Sequence, residues 1–415
     1  MSVSRYKLTM ISLNNMTHKT PCKSPNVTFF AAPSVFAVLA AFAVLALSAM
    51  HYAKSAELTA QYDLDLLKNT QGGISTKFDY IDLLSLSVSD THSFNRESQL
   101  SYFVSAFYSN GHAFSEDIVG DDHVVSNLEG GAQFAKLGEA WVDYQYQNLS
   151  ILFGLYDINS EFDVLQSANL FINSGHGIGN DIGLSGRNGP SIYPYYGLSA
   201  RIKLALNSHH TLLIAAIDGS PGDASTPSAP AISLSSDDGV FSIAQWQYEN
   251  ADHIWLLGAW HYTKSQALTS DTRFERARSG NWGAYVRHEQ SLFTEVFQPQ
   301  IKGFFRLGIS DSEFNKYDGF VSAGINVSQV SGMRRDDSFG AAVAYTDLGD
   351  DFARVNANTV DGFANGELNI ELTYRTRLHK YVFVQPTVQY IKHPAGIEQD
   401  SALVAGLRLS LQFAH

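Results

Sequence analysis

The sequence predicts an all-β protein: a transmembrane antiparallel β-barrel of sixteen strands, with short turns at one end and long loops at the other. Three observations point there. Polar and apolar residues alternate with period two along most of the chain. The links between the alternating runs are short and long in turn. One apolar run of export type lies near the start, and no second run of about 18 apolar residues follows.

The chain has 415 residues and a formal net charge of −13, which disfavours nucleic acid as a partner because phosphate contacts need a basic face. Cys22 is the only cysteine, so no disulfide framework and no Cys-built metal site is expected. No cofactor is expected either. Lys19 and Lys23 precede the apolar run Phe29–Leu47, and Ala46-Leu47-Ser48 offers a small-residue cleavage pattern, with a second near Ala56. Residues 1–56 therefore read as a signal-peptide region cleaved near 48 or 56, Met16 being a second candidate start; a retained anchor helix is the alternative. Residues 57–415 read as the barrel.

The strands are expected near 57–66, 74–88, 99–108, 133–146, 150–156, 198–206, 211–218, 239–248, 254–264, 282–289, 299–310, 317–328, 338–347, 366–378, 381–391 and 401–413. The first, "LTAQYDLDLL", could equally begin a short helix. In "LSARIKLAL", Leu198, Ala200, Ile202 and Leu204 share one face, and Ser199, Arg201 and Lys203 the other. In "ELNIELTYRTRL", Leu368, Ile370, Leu372 and Tyr374 oppose Asn369, Glu371, Thr373, Arg375 and Arg377. In "ALVAGLRLSLQF", Leu403, Leu407, Leu409 and Leu411 oppose Gly406, Arg408 and Ser410. A charge facing lipid at mid-depth costs about 2–4 kcal/mol, so the charged faces must meet a wet lumen. From the fourth strand onward, short links such as "QNL", "NSHH", "ENADH" and "HK" separate the long links 157–197, 219–238, 265–281 and 348–365, while 290–298 and 329–337 are middling. Outer-membrane barrels show this asymmetry, with short periplasmic turns and external loops, and an even strand count puts both termini in the periplasm. Aromatic residues near strand ends, among them Phe78, Tyr80, Tyr102, Tyr144, Tyr146, Trp246, Tyr248, Trp260, Tyr262, Tyr374 and Tyr390, suit girdles at the two membrane interfaces.

The glycine-rich stretch Ser174–Ser191, "SGHGIGNDIGLSGRNGPS", fits neither nucleotide template: Ile182 stands where the dinucleotide fingerprint needs glycine, and no Gly-Lys-Ser/Thr follows. It lies in the longest loop, 157–197. That loop is expected to fold into the barrel and narrow it, glycine permitting close approach to the wall. A loop lying outside over the mouth is the alternative.

Seven stretches taken together resemble the carbohydrate-selective porins of the OprB family of Gram-negative bacteria: "GLYDINSEFD" (154–163), "NGPSIYP" (188–194), "AIDGSPGD" (216–223), "LSSDDG" (234–239), "RLGISDSEFN" (306–315), "ELTYRTRL" (371–378) and "QPTVQYIKHPAG" (385–396). The resemblance runs from about Gly72 to Phe413. It implies a sixteen-stranded barrel that passes monosaccharides, glucose among them, through a narrowed pore. Such barrels usually finish on an aromatic residue; here Ala414 and His415 follow Phe413.

A sugar needs aromatic surface for its C–H faces and charged groups for its hydroxyls. The expected lining is Glu139, Trp141 and Asp143 on the fourth strand, Glu161, Asp163 and Arg187 on the long loop, and Arg201, Lys203, Lys302, Arg306, Arg375, Arg377 and Arg408 on facing walls. Arg201, Arg306 and Glu139 lead this set. A slip of one residue would turn Trp141 to lipid. The expected partners are small-molecule sugars and outer-membrane lipid, with a monomer or homotrimer both open. A general or anion-selective porin is the nearer rival function. A barrel-borne hydrolase is the farther one, because no serine near His261 or His288 is placed as a nucleophile.

Overall fold

The computed structural model describes residues 56–414, apart from 223–226, 229–231, 233–236, 267–276, 279, 294–299, 331–335 and 358–361. The signal-peptide region up to residue 55 and part of "LSSDDG" therefore lie outside the described residues. Sixteen strands form a closed barrel in which every neighbouring pair is antiparallel. They are β1 (Glu57–Gln71), β2 (Phe78–Ser93), β3 (Ser98–Ser109), β4 (Phe134–Tyr146), β5 (Leu149–Tyr156), β6 (Gly197–Ala205), β7 (His210–Asp218), β8 (Val240–Glu249), β9 (His253–Tyr262), β12 (Trp282–Phe293), β13 (Gln300–Ser310), β14 (Tyr317–Ser328), β15 (Ser338–Leu348), β16 (Gly366–His379), β17 (Val382–Lys392) and β18 (Ala402–Ala414). Two further strands, β10 (Ser265–Gln266) and β11 (Ala277–Arg278), pair only with each other within the β9–β12 link. No helix among the described residues is long and apolar enough to cross a membrane.

Each expected strand is present. β1 is a strand and not a helix, because it has a hydrogen-bonded partner on both sides: Asp65 faces Ile81 of β2 and Arg408 of β18. The period-two faces follow the alternation. On β6, Arg201 is 4% exposed while Ile202 is 46% exposed; on β16, Glu371 is fully buried while Leu372 is 49% exposed. The buried series faces the barrel interior and the exposed series faces outward. Link lengths alternate by end. The links 94–97, 147–148, 206–209, 250–252 and 380–381 share one end with both termini; 110–133, 157–196, 219–239, 263–281 and 349–365 share the other.

The inward faces are not uniformly polar. Leu152, Leu213, Ala215, Ile217, Phe241, Ile243, Leu256, Trp260, Tyr262 and Phe304 point inward and are buried against Ile158, Phe162, Leu165, Ala168, Phe171 and Ile182 of the loop 157–196. This corrects one expectation: Trp260 and Tyr262 do not belong to a membrane girdle. They share the inward parity of Leu256, and the loop above them gives them an apolar bed. A second inward segment, 110–133, was not anticipated. Its Phe114, Ile118, Val119, Val125 and Leu128 cover Leu67 of β1, Ile81 and Leu83 of β2, Ile391 of β17 and Val404 of β18. Apolar inward residues in a wet lumen would expose hydrocarbon to water; each loop removes that exposure by burial.

Candidate substrate channel

The long loop is pinned to the wall by buried ion pairs. Asp163 lies 2.5 Å from Arg287 Nε and 2.7 Å from Arg306 Nη2. Arg306 also donates to the carbonyls of Asp163 (2.9 Å), Gly177 (3.0 Å) and His176. Arg287 reaches Asp181 at 3.3 Å. Glu289 of β12 accepts from the backbone N–H and the hydroxyl of Ser167, both at 2.6 Å, and pairs with Lys302 at 2.9 Å. Glu371 of β16 accepts the N–H groups of Ile172 and Asn173, both at 2.9 Å, while Gln385 of β17 donates to the Leu170 carbonyl at 2.6 Å. Glycine is needed where loop meets wall: a Cβ on Gly308 of β13 would collide with the Asp181 carboxylate, and Gly186, at φ 69°, packs so that a Cβ would sit 2.6 Å from the Tyr262 ring.

Burial alone would raise the Asp163 carboxyl, but the flanking Arg287 and Arg306 guanidinium groups hold it below the usual carboxylate range. Asp181 is pushed up to about 6, burial outweighing the pull of Arg287. Burial lowers the His176 imidazole to about 3, with His123 and Arg306 adding to the effect.

The second loop is held in the same style on the other side. Glu367 of β16 accepts the N–H groups of Asp122 (2.9 Å) and His123 (2.8 Å), and Lys316 meets Asp122 at 2.6 Å. Ser126 donates to Asp65 at 2.6 Å. Arg408 grips both oxygens of Asp65 at 2.7 Å and donates to Asn127 at 2.8 Å.

Neither loop fully covers the inner face of β2–β4, where Ser85, Ser87, Phe103, Phe107, Glu139, Trp141 and Asp143 remain half-buried. Trp141 points inward. Its indole N–H donates to Glu139 at 3.1 Å, and its ring stacks on Phe103 at a centroid distance of 5.5 Å. Glu139 also accepts the Asp157 N–H at 3.1 Å. Asp143 accepts from Ser150 at 2.7 Å and lies 3.3 Å from Arg201. Arg201 Nε lies 2.7 Å from Glu161, which Lys203 meets at 3.0 Å and Tyr156 at 2.6 Å through its hydroxyl. One strip of wall thus carries an aromatic face beside alternating acceptors and donors.

The thirteen residues picked from sequence therefore fall into separate places. Glu139, Trp141, Asp143, Glu161, Arg201 and Lys203 form this one cluster. Asp163 on the loop and Arg306 beneath it pair with each other and have no open surface, although Arg306 Nε has no hydrogen-bond partner among the described residues. Arg187 lies 3.7 Å from Asp238 of the link 219–239. Lys302 is occupied by Glu289. Arg408 is occupied by Asp65. Arg375 lies over the Phe383 ring at 4.2 Å, and Arg377 pairs with Asp336. Sequence reasoning passed over Arg287, Asp181, Glu289 and Glu367. Their signal was present: Arg287 and Glu289 alternate with Val286 and His288, and Glu367 shares the inward parity of Glu371.

A closed sixteen-stranded barrel with an inward-folded loop and a polar, aromatic-lined inner wall is the build of a pore-forming membrane protein. Residues 86–413 match the sequence profile of the carbohydrate-selective porin, OprB family, and the chain belongs to that family. It is 24% identical over 345 residues to Porin B of Pseudomonas aeruginosa, covering 73% of this chain and 75% of that one. Over 48 residues, 11% of either chain, it is 46% identical to a protein of Acinetobacter baylyi described as putative porin QuiX. Among solved structures, a high-pH structure of Pseudomonas putida OprB superposes with a TM-score of 0.74 at 19% identity, covering 90% of this chain and 97% of that one. A Rhodopseudomonas blastica porin aligns with a TM-score of 0.51 at 10% identity, over 86% of this chain and all of that one. The chain is thus an outer-membrane β-barrel of the carbohydrate-selective porin class.

Proposed function

We propose that this barrel passes small neutral carbohydrates, monosaccharides of glucose type, by passive diffusion along the inner wall of β3–β6. The short-turn end then faces the periplasm, and the loop 157–196 serves as the constriction. The observation that carries this reading is Trp141, fixed by Glu139 and stacked on Phe103, on the same strip as Asp143, Arg201, Glu161 and Lys203. An indole face receives the C–H surface of a sugar ring. Carboxylate and guanidinium groups beside it accept from and donate to hydroxyls as charge-assisted hydrogen bonds. Each of these charges already has a protein partner, so a sugar hydroxyl exchanges with an existing contact. That keeps binding weak enough for release, as transport requires.

Liposome swelling with a panel of sugars tests it. Glucose-sized sugars should enter faster than disaccharides, and Trp141→Ala should lower sugar block of the single-channel current about tenfold, the loss of one stacked ring contact of a little over 1 kcal/mol. Equal block before and after the substitution would remove Trp141 from the path. The second reading, a porin without sugar specificity, is favoured by the many wall cations. It would show itself as anion selectivity in the reversal potential with no sugar block.

A further inference from the structure

We propose that Lys136 is a docking point for the carboxylate of a sugar acid at the long-loop end of the passage, so that the channel admits uronate- or aldonate-type solutes as well as neutral sugars. The inference rests on the channel reading above. Lys136 lies near the start of β4, on its inner face, and is 4% exposed. Its ammonium sits between two rings, 4.1 Å from the centroid of Tyr195 and 4.6 Å from that of Phe134. Among the described residues it has no carboxylate partner and no hydrogen-bond acceptor. That sets it apart from the other cations of the lumen. Arg201 and Lys203 have Glu161; Arg287 and Arg306 have Asp163; Lys302 has Glu289; Arg408 has Asp65. Arg375 also lies against a ring, but it is only half-buried, near the short-turn end.

A lysine is almost never buried without a counter-charge, and an ammonium taken out of water loses solvation that ring faces restore only in part. The missing group is an anion. The surroundings favour an organic one. Phe107, the register partner of Lys136 on β3, lies 6.1 Å from Tyr196 and 5.9 Å from Tyr193, so flat apolar faces stand beside the charge. Three N–H donors meet a carboxylate, and the ring faces meet the body of a pyranose. A halide would use only the first.

The test is single-channel recording of the full chain in planar bilayers, with D-glucuronate or D-glucose added to potassium chloride. Glucuronate should block the wild-type channel more tightly than glucose. Lys136→Met should weaken glucuronate block about tenfold, the size of one charge-assisted hydrogen bond, and leave glucose block within about twofold. Lys136→Arg, which keeps the charge, should retain the preference. Glucuronate block no tighter than glucose block in the wild type would overturn the proposal, and this arm does not depend on any variant assembling. An equal fall in both blocks would also overturn it, leaving Lys136 a packing residue. So would a shift in chloride selectivity with the glucuronate preference intact. Failure of glucose to block the wild type at all would count against the channel reading itself, a separate outcome.

Discussion

His176 and Asp181 sit five residues apart in the same buried loop, and burial acts on them with opposite sign. The His176 pKa is lowered from 6.5 to about 3 in the folded protein. Its contribution to loop docking is present above pH 6.5 and is lost as pH falls toward 3. The Asp181 pKa is raised from 3.8 to about 6. Its contribution is present below pH 3.8 and is lost as pH rises through 6. Between about pH 4 and pH 6 the two slopes oppose each other. The contributions of these two groups to the pH dependence of hydrogen-exchange protection of the loop amides should therefore largely cancel. Relative to the wild type, Asp181→Asn should make protection climb more steeply with pH, and His176→Gln should make it fall. Parallel profiles in all three proteins would mean that neither group is titrating under the loop. At this scale the sequence revealed side-chain parity but not pairing. Arg306 projects inward from β13 but lies covered by the loop; that its guanidinium is spent on carbonyls of residues 163–177 depends on a contact across more than a hundred residues, for which no local pattern exists.

The loop 157–196 is held by buried charged and polar contacts and by apolar packing against the wall. Removing Arg306 strips Asp163 of one partner and leaves loop carbonyls unpaired in a buried site. A broken buried ion pair costs about 3–5 kcal/mol. Arg306→Ala should therefore loosen the loop without opening the barrel. Single-channel conductance should rise and become noisier, larger sugars should begin to pass, and the heat resistance of the barrel should stay close to wild type. A channel of unchanged conductance and sugar discrimination would place the narrowest point elsewhere. The strands were legible because lipid on one side and lumen on the other impose a period of two on every one of them. The inward covering of the loops was less so, though a trace existed. "TLLIAAI" on β7 and "HIWLLGAW" on β9 are apolar on both faces, and an inward apolar face in a water-filled barrel calls for a lid. The segment 110–133 gave no such cue of its own: its apolar residues follow no strand or helix period.

For the molecule in its membrane, what decides assembly is which face of a strand receives a charge. Ile370 of β16 points outward, 40% exposed, and Ser87 of β2 points inward, half-buried beside the open wall. An arginine at the first site must enter hydrocarbon, at about 2–4 kcal/mol near mid-depth; at the second it meets water. Ile370→Arg should reduce the yield of heat-modifiable barrel, while Ser87→Arg should assemble normally and lower conductance. Equal yields would mean that the inside and the outside of the barrel have been exchanged.

The seam between β1 and β18 joins the two ends of the described chain. Leu64 pairs with Leu409, and Ser410 donates to Asp63 across 347 positions of sequence. The contact of greatest sequence separation is thus also the one that abolishes both free edges. Closing so long a loop carries the largest entropic penalty of any contact in the fold, and it is repaid only once all the intervening strands are in register. Until then the chain is an open ribbon with an unpaired strand at either margin, ready to pair with another chain. Ring closure is therefore expected to come last in folding. A lesion at Asp63, Asp65 or Arg408 would be felt first as a longer-lived, aggregation-prone intermediate, before any finished channel exists to conduct a solute.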